Sequence, residues 1–337
     1  MTEARATRRG VIGGGVAAAL AAATGGLRPV QAATGVPEAA TLLVPGPEGG
    51  AAAGFATRAA QGLARGLVQA AALRVALLGG PDGITAANRF AASTAPDGRL
   101  LLLLPGAAAQ ALLVGDSRAR YEPRHWPAIA GSLTPALVAG RGAPAETQPL
   151  RLALPGPAAP ECGALLALDL LGRVATPVFL PPGMGPDAAV AAGVADAVVL
   201  TGRTAAARAA ALGLMPWFTF DGERPARDPA LAEVASFGEI LADPPQPELV
   251  AALRAAGAAL RVRGLLVLPA LTSADSVALW RGAARRWVEE AREAEEAETR
   301  RVAGEEAADA LATLFPPPEV AAAYRDWLRR RLNWQAG

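Results

Sequence analysis

Four turns rich in glycine and proline each close an apolar run: PGPEGGAA after Val44, GGPDGITA after Leu78, PGPAAP after Leu154 and PPGMGPD after Leu180. Side chains able to move protons or attack a carbonyl are scarce in them, so the chemistry on offer is that of the main chain. Glycine lets a backbone come close to a ligand, and a helix starting at such a turn presents unpaired N–H groups and a positive dipole. Those features suit an anion, held without an arginine in contact. The candidate contacts are Gly46, Pro47, Glu48, Gly49, Gly50 and Ala51 in the first turn, and Gly80, Asp82, Gly83, Ile84, Thr85 and Ala86 in the second. Gly156, Pro157 and Ala158 come from the third, and Pro182, Gly183 and Met184 from the fourth. Pro105 and Gly106, which end RLLLLLPG, and Thr201, which ends ADAVVLT, complete the set. Glycine and proline mark any turn; the recurrence of the pattern, twice in each half, is what points to one shared cleft. Gly83→Val and Gly183→Val are expected to weaken ligand binding in a folded protein.

The groups that hydrolytic, metal or nucleotide chemistry would need are missing. His125, in PRHWP, is the single histidine, and no Gly-x-Ser-x-Gly elbow accompanies it. It reads as a loop or packing residue. There is no P-loop, no cysteine pair and no histidine cluster, so neither a cofactor nor a metal is expected, and the chain does not read as an enzyme. Asp196, just before an apolar run, reads as turn or hinge structure. A net charge of +1 over 337 residues argues against nucleic acid as a partner.

The first 32 residues have a different character. MTEARATRRGVIGGGVAAALAAATGGLRPVQA has a basic start, an apolar run from Val11 to Thr24 and a small-residue end, the three parts of a signal peptide. Arg8-Arg9 after Thr7 resembles a twin-arginine export signal, with Val11 where such signals often carry phenylalanine. Cleavage after about Ala32 removes four of 32 arginines and one of 31 acids, leaving a net charge of −2 on an extracytoplasmic chain. The lone Cys162 has no partner for a disulfide and reads as a small apolar filler.

The turns need elements to aim them. Thr41–Val44, Leu73–Leu78 and the five leucines from Leu100 read as buried strands, with helices around Phe55–Gly66 and Thr85–Ser93 between them. Such apolar runs predict a parallel sheet covered on both faces. After a strand at Ala136–Ala139, the proline-rich APAETQPL reads as a crossover. The unit then restarts with LRLAL, a helix ending at Gly172, TPVFL, a short helix and Ala197–Leu200. This predicts an α/β fold of two lobes: residues 33–140 with 262–337, and residues 141–261. In the tail, Leu265–Leu268 reads as a strand. Val277, Trp280, Ala284, Trp287, Val288 and Ala291 form one helical stripe, opposite the charges of Glu289, Glu293, Glu296 and Arg300.

The segments TLLVPGPEGG, GGPDGITAAN, APDG (95–98) and FLPPGMGPDAAVAAGVADAVVL resemble, in this order, the solute-binding receptors of tripartite tricarboxylate transporters, the Bug receptors. The resemblance runs with gaps from Thr41 to Leu200. It implies a type II periplasmic-binding-protein fold whose lobes close on a carboxylate, held largely by backbone amides and ordered water. It implies as partners a small organic acid and the membrane permease subunits of such a transporter, with the receptor a monomer in the periplasm. Carried over by position, the ligand loops are Gly46–Ala52, Gly80–Ala86, Gly156–Ala158 and Pro182–Gly185. This chain departs from the pattern at Ala51, Ala52 and Ala53, where an aspartate is common, at Pro181-Pro182 in place of Tyr-Lys, and in PGPAAPE in place of a serine-rich loop. The lost polar groups suggest a pocket adapted to a less polar acid, or a divergent receptor that has lost its ligand. A ligand-sensing partner of a membrane histidine kinase would use the same lobes, and a periplasmic enzyme is the third reading.

Overall fold

The computed structural model describes residues 39–67, 72–92, 95–143, 149–220, 227–241, 246–290 and 298–335. The expected signal segment, residues 1–32, lies outside them, as do Ser93, Ala291, Glu293 and Glu296. Three βα units open the chain: β1 (Ala39–Val44), α1 (Ala51–Gly66), β2 (Ala72–Leu77), α2 (Ile84–Ala91), β3 (Leu100–Leu104) and α3 (Gly106–Val114). Then β4 (Ala128–Leu133) passes directly to β5 (Ala136–Gly140). A second set of units follows: β6 (Leu150–Leu154), α4 (Cys162–Leu170), β7 (Ala175–Phe179), α5 (Pro186–Ala191), β8 (Ala197–Thr201), α6 (Ala205–Ala211) and β9 (Met215–Thr219). The return runs through α7 (Phe237–Ile240) and α8 (Pro247–Arg261) into β10 (Val262–Val267). The tail adds α9 (Ala274–Glu290), β11 (Arg300–Ala303), α10 (Glu305–Leu314) and α11 (Pro318–Leu332).

Two sheets result, ordered β11-β4-β10-β3-β1-β2 and β7-β6-β8-β5-β9. Apart from β11 they share one plan: a parallel triplet, then the strand that has just crossed from the other sheet, then a fourth strand. The crossing strands run antiparallel, β10 against β3 and β4, and β5 against β8 and β9. The sheets are therefore mixed, and the expectation of wholly parallel ones is corrected. Buried apolar runs such as Leu265–Leu268 carry no sign of direction, because every face of them is covered either way. This plan is the type II periplasmic-binding-protein fold.

The switch between sheets comes at Thr134-Pro135, so the second sheet starts at Ala136 and takes in β5, which the division at residue 140 left in the first lobe. The proline-rich stretch read as a crossover lies between β5 and β6 of one sheet. At the other end, α11 spans both lobes. Arg325 donates from Nε to Leu113 O at 3.0 Å on α3, while Trp327 Nε1 and Arg331 Nε each donate to Asp169 Oδ2 at 3.0 Å on α4.

The core shows how a chain with 4% aromatic residues fills its interior. Trp280 and Trp287, from the expected stripe, are buried against β1, β3 and α1. Trp287 lies where a Cβ at Gly62 would stand, and Ala283 lies 2.9 Å from the Cβ position of Gly66, so α1 and α9 touch almost at their backbones. Trp280 Nε1 donates to Gly98 O at 3.0 Å. Gly98 ends the APDG turn with φ +73°, and Asp97 Oδ1 accepts from Arg99 N at 2.9 Å. That turn enters β3 at the end of the strand remote from its α3 loop. APDG therefore builds a turn and takes no part in the cleft.

Candidate ligand-binding site

A link of two residues between β4 and β5 forces the end of one strand to meet the start of the other. Since β4 runs with β3, and β5 runs against β8, the carboxyl ends of both parallel triplets face each other across this link. Ligands of open α/β sheets bind at that edge. Hydrogen bonds fasten the hinge: Thr134 N donates to Arg261 O at 2.8 Å, Gly202 N to Pro135 O at 2.9 Å and Phe220 N to Ala136 O at 3.4 Å. Both crossings and the β8 loop thus meet in one place.

In the first lobe the candidate turns are contiguous. Gly46 N donates to Gly79 O at 3.3 Å, and Gly83 packs on Pro105. Pro47, Glu48, Gly49, Ala51, Gly80 and Thr85 are exposed and Gly50 half-buried. Gly46, Gly83, Ile84, Ala86, Pro105 and Gly106 are buried. Asp82 is occupied: Oδ1 accepts from Ile84 N at 3.2 Å, and Oδ2 pairs with Arg118 at 3.2 Å. In the second lobe, Gly156, Pro157, Ala158, Met184 and Thr201 are half-buried, with Pro182 and Gly183 exposed. Of these, Ala158 and Thr201 reach the first lobe. Gln110 Nε2 on α3 donates to Ala158 O at 3.0 Å, and Arg263 Nη2 on β10 donates to Thr201 Oγ1 at 3.3 Å.

The first turns of α1, α2, α3, α4 and α6, which start at the facing edges, hold no acidic residue; α5, which starts at the same edge after β7, holds Asp187, paired with Arg208 at 2.6 Å. Helices α8, α9, α10 and α11 each hold one or two there. An acid in the first turn would neutralise the positive end of the dipole; at the facing edges that end is free of first-turn acids except at α5, where Asp187 stands, and Asp82 caps α2. Glu161 stands at the N-cap of α4. Burial pushes its carboxyl above the usual range, against the opposing pull of its own N–H and of Arg263.

Cys162 follows, fully buried. Its thiol donates to Gly156 O at 3.2 Å and Pro157 O at 3.4 Å, and burial pushes its pKa up to about 12. It shapes the loop as well as filling space. Asp196 sits at the opposite end of β8. There it accepts from Arg151 Nε at 2.9 Å and from Arg151 N at 3.0 Å, and that partner holds its carboxyl below the usual range. His125 is exposed in the loop before Trp126. Among the described residues, no cluster of three or more metal-ligating side chains occurs.

The two valine substitutions separate once the structure is known. Gly83 has φ +75°, and a Cβ there would overlap the Pro105 ring, with Cδ at 2.7 Å. Gly83→Val is expected to cost about 3 kcal/mol and to disturb the fold itself. Gly183, at φ +88°, has open space around it; Gly183→Val is expected to cost only about 1–2 kcal/mol, the cost of the left-handed backbone. Urea unfolding of both variants checks this, and equal losses would contradict it.

Sequence reasoning missed Gln110, Glu161, Arg261 and Arg263. Arg261 and Arg263 left a trace, as the two charges that open the otherwise apolar RVRGLLVL.

The two sheets, the two crossings and this facing edge define a chain of two lobes with the type II periplasmic-binding-protein fold. The comparisons agree. The chain is similar to the solved structure of a TctC solute-binding protein from Polaromonas, with a TM-score of 0.64 and 18% identity, over 87% of this chain and 98% of that one. It is also similar to Rpa4515 of R. palustris with adipate, with a TM-score of 0.50 and 15% identity over 88% and 98% of the two chains. No family model matches the sequence, and no curated protein does. At such identities the likeness establishes the fold.

Proposed function

We propose that this chain is a divergent receptor of the Bug and TctC type. It captures a small organic acid between its lobes outside the cytoplasm and delivers it to the membrane permease of a tripartite tricarboxylate-type transporter. It acts as an exported monomer and catalyses nothing. One observation carries this reading: six helix N-termini, all but that of α5 without a first-turn acid, converge from two sheets on one edge, beside a hinge. Each such terminus favours an anion by about 0.3–1 kcal/mol, and a charge-assisted hydrogen bond adds about 1.5–3 kcal/mol. Several together reach the ~8 kcal/mol of micromolar binding. Closure follows when the ligand contacts both lobes, because only the closed state satisfies both sets of donors. The adipate held by Rpa4515 supports an acid as ligand. Among the described residues no helix is long and apolar enough to cross a membrane, in keeping with a receptor that meets its permease from outside.

The test is thermal unfolding of the full chain with malate, succinate, citrate, tricarballylate, aspartate and adipate. A true ligand at one hundred times its Kd adds ~2.7 kcal/mol of stability, a rise in Tm of several degrees. Unchanged melting with all six acids would overturn the proposal.

A further inference from the structure

Main-chain donors alone were expected to hold the anion, yet the cleft floor carries a cation. Arg263 is the second residue of β10, between Val262, which pairs with Leu133, and Gly264, which pairs with Ser132. That register sets it at the facing edge, beside the Thr134-Pro135 hinge. It is exposed, and its guanidinium crosses to Thr201 Oγ1 at the carboxyl end of β8. Other arginines near this edge are already matched: Arg261 with Asp228 at 3.1 Å, Arg208 with Asp187 at 2.6 Å and Arg118 with Asp82 at 3.2 Å. Among the described residues, no carboxylate lies within ion-pair distance of Arg263. A guanidinium that bonds a neutral hydroxyl with one nitrogen keeps its other donors for a carboxylate, which it can take in a two-pronged contact.

From the second lobe Glu161 lies near enough for its carboxyl to feel the charge of Arg263. Its loop follows β6, which lies next to β8, and the same loop touches α3 through Ala158. Glu161 is half-buried and, among the described residues, has no ion-pair partner. A carboxyl group beside a carboxylate-binding arginine repels a plain acid and rewards one that brings a donor.

We propose that Arg263 is the cationic anchor for the ligand carboxylate, and that Glu161 opposite it selects acids bearing a hydroxyl or amino group next to that carboxylate. This rests on the receptor reading above and names its ligand class. The anchor also fits the polar groups missing from the loops, since one guanidinium replaces several weaker donors.

The experiment is calorimetric titration of the full chain, as wild type, Arg263→Gln and Glu161→Gln. The probes are two pairs that differ by one hydroxyl, malate with succinate and citrate with tricarballylate, and aspartate as the amino acid. Wild type is expected to bind the hydroxyl- or amino-bearing acids about 10-fold more tightly, one good hydrogen bond's worth. Arg263→Gln should lose about 10- to 100-fold for every acid that binds. It should also lose the weakening by salt that wild type shows, which a merely structural side chain would not affect. Glu161→Gln should close the gap within each pair. If Arg263→Gln binds and responds to salt as wild type does, the anchor is wrong and the receptor reading survives. A gap that persists in Glu161→Gln, or is absent from wild type, overturns the ligand class. Should wild type bind none of these five acids, the anchor falls; if adipate also leaves Tm unchanged, the receptor reading falls with it.

Discussion

Asp228→Ala is expected to remove about 3–5 kcal/mol of stability, the largest effect of any single side-chain truncation at the hinge. Asp228 and Arg261 are 8% and 15% exposed, and their charges meet at 3.1 Å. The aspartate also accepts from Ala230 N at 3.0 Å through Oδ1, capping the turn that follows. Arg261 is the last residue of α8. It donates to Phe220 O at 3.2 Å, where the chain leaves the second sheet, and its own carbonyl accepts from Thr134 N, where the chain enters it. Truncating the aspartate would leave a guanidinium nearly buried without its counter-charge, at the point that joins both crossings. Urea unfolding gives the number; a loss below about 1 kcal/mol would show that solvent reaches Arg261 freely. The pair itself is not the source of the stability. A well-packed Asp228→Leu with Arg261→Met should recover much of the loss, since an apolar pair of like volume avoids the desolvation cost.

Gly106→Val should be nearly as damaging, at about 3 kcal/mol or more. Gly106 opens α3 where that helix lies against α8. A Cβ there would overlap the carbonyl oxygen of Ala259 and stand 2.8 Å from that of Val262. Both obstacles are backbone, so no rotamer change relieves them, and α8 is the element on which α3, α4 and α11 all pack. Gly156, also a candidate ligand glycine, provides the contrast. It has an ordinary backbone and nothing within 4 Å of its Cβ position. Gly156→Val should leave the unfolding midpoint within about 0.5 kcal/mol of wild type. Similar losses in the two variants would mean that the close approach of α3 to α8 is not what fixes Gly106.

That contrast separates what glycine-rich turns announce from what they mean. Gly83 and Gly106 are held by packing, whereas Gly156 and Gly183 stand in open space; in sequence all four are glycines within two residues of a proline, in a turn that follows an apolar run. Asp82 likewise reads as a ligand contact, but it caps α2 and pairs with Arg118. In each case the deciding fact is a neighbour brought in from elsewhere in the chain, which local sequence does not contain.

The sequence by itself determined most of the strands, because runs such as LLLLL and LVAG have no other way to leave water, and several of the helices between them; it left β4, β9 and β11 unread. It also determined where the chain must turn. The order of the turns was enough for the resemblance, and with it the fold. Only the tertiary structure decided which way β5 and β10 run, where the chain changes sheet, and which residues stand on the cleft floor. The physical reason is that a buried strand satisfies its backbone equally well in either direction. A link of two residues therefore leaves no compositional mark, and yet it is this link that turns two sheets edge to edge and brings Arg263 to Thr201.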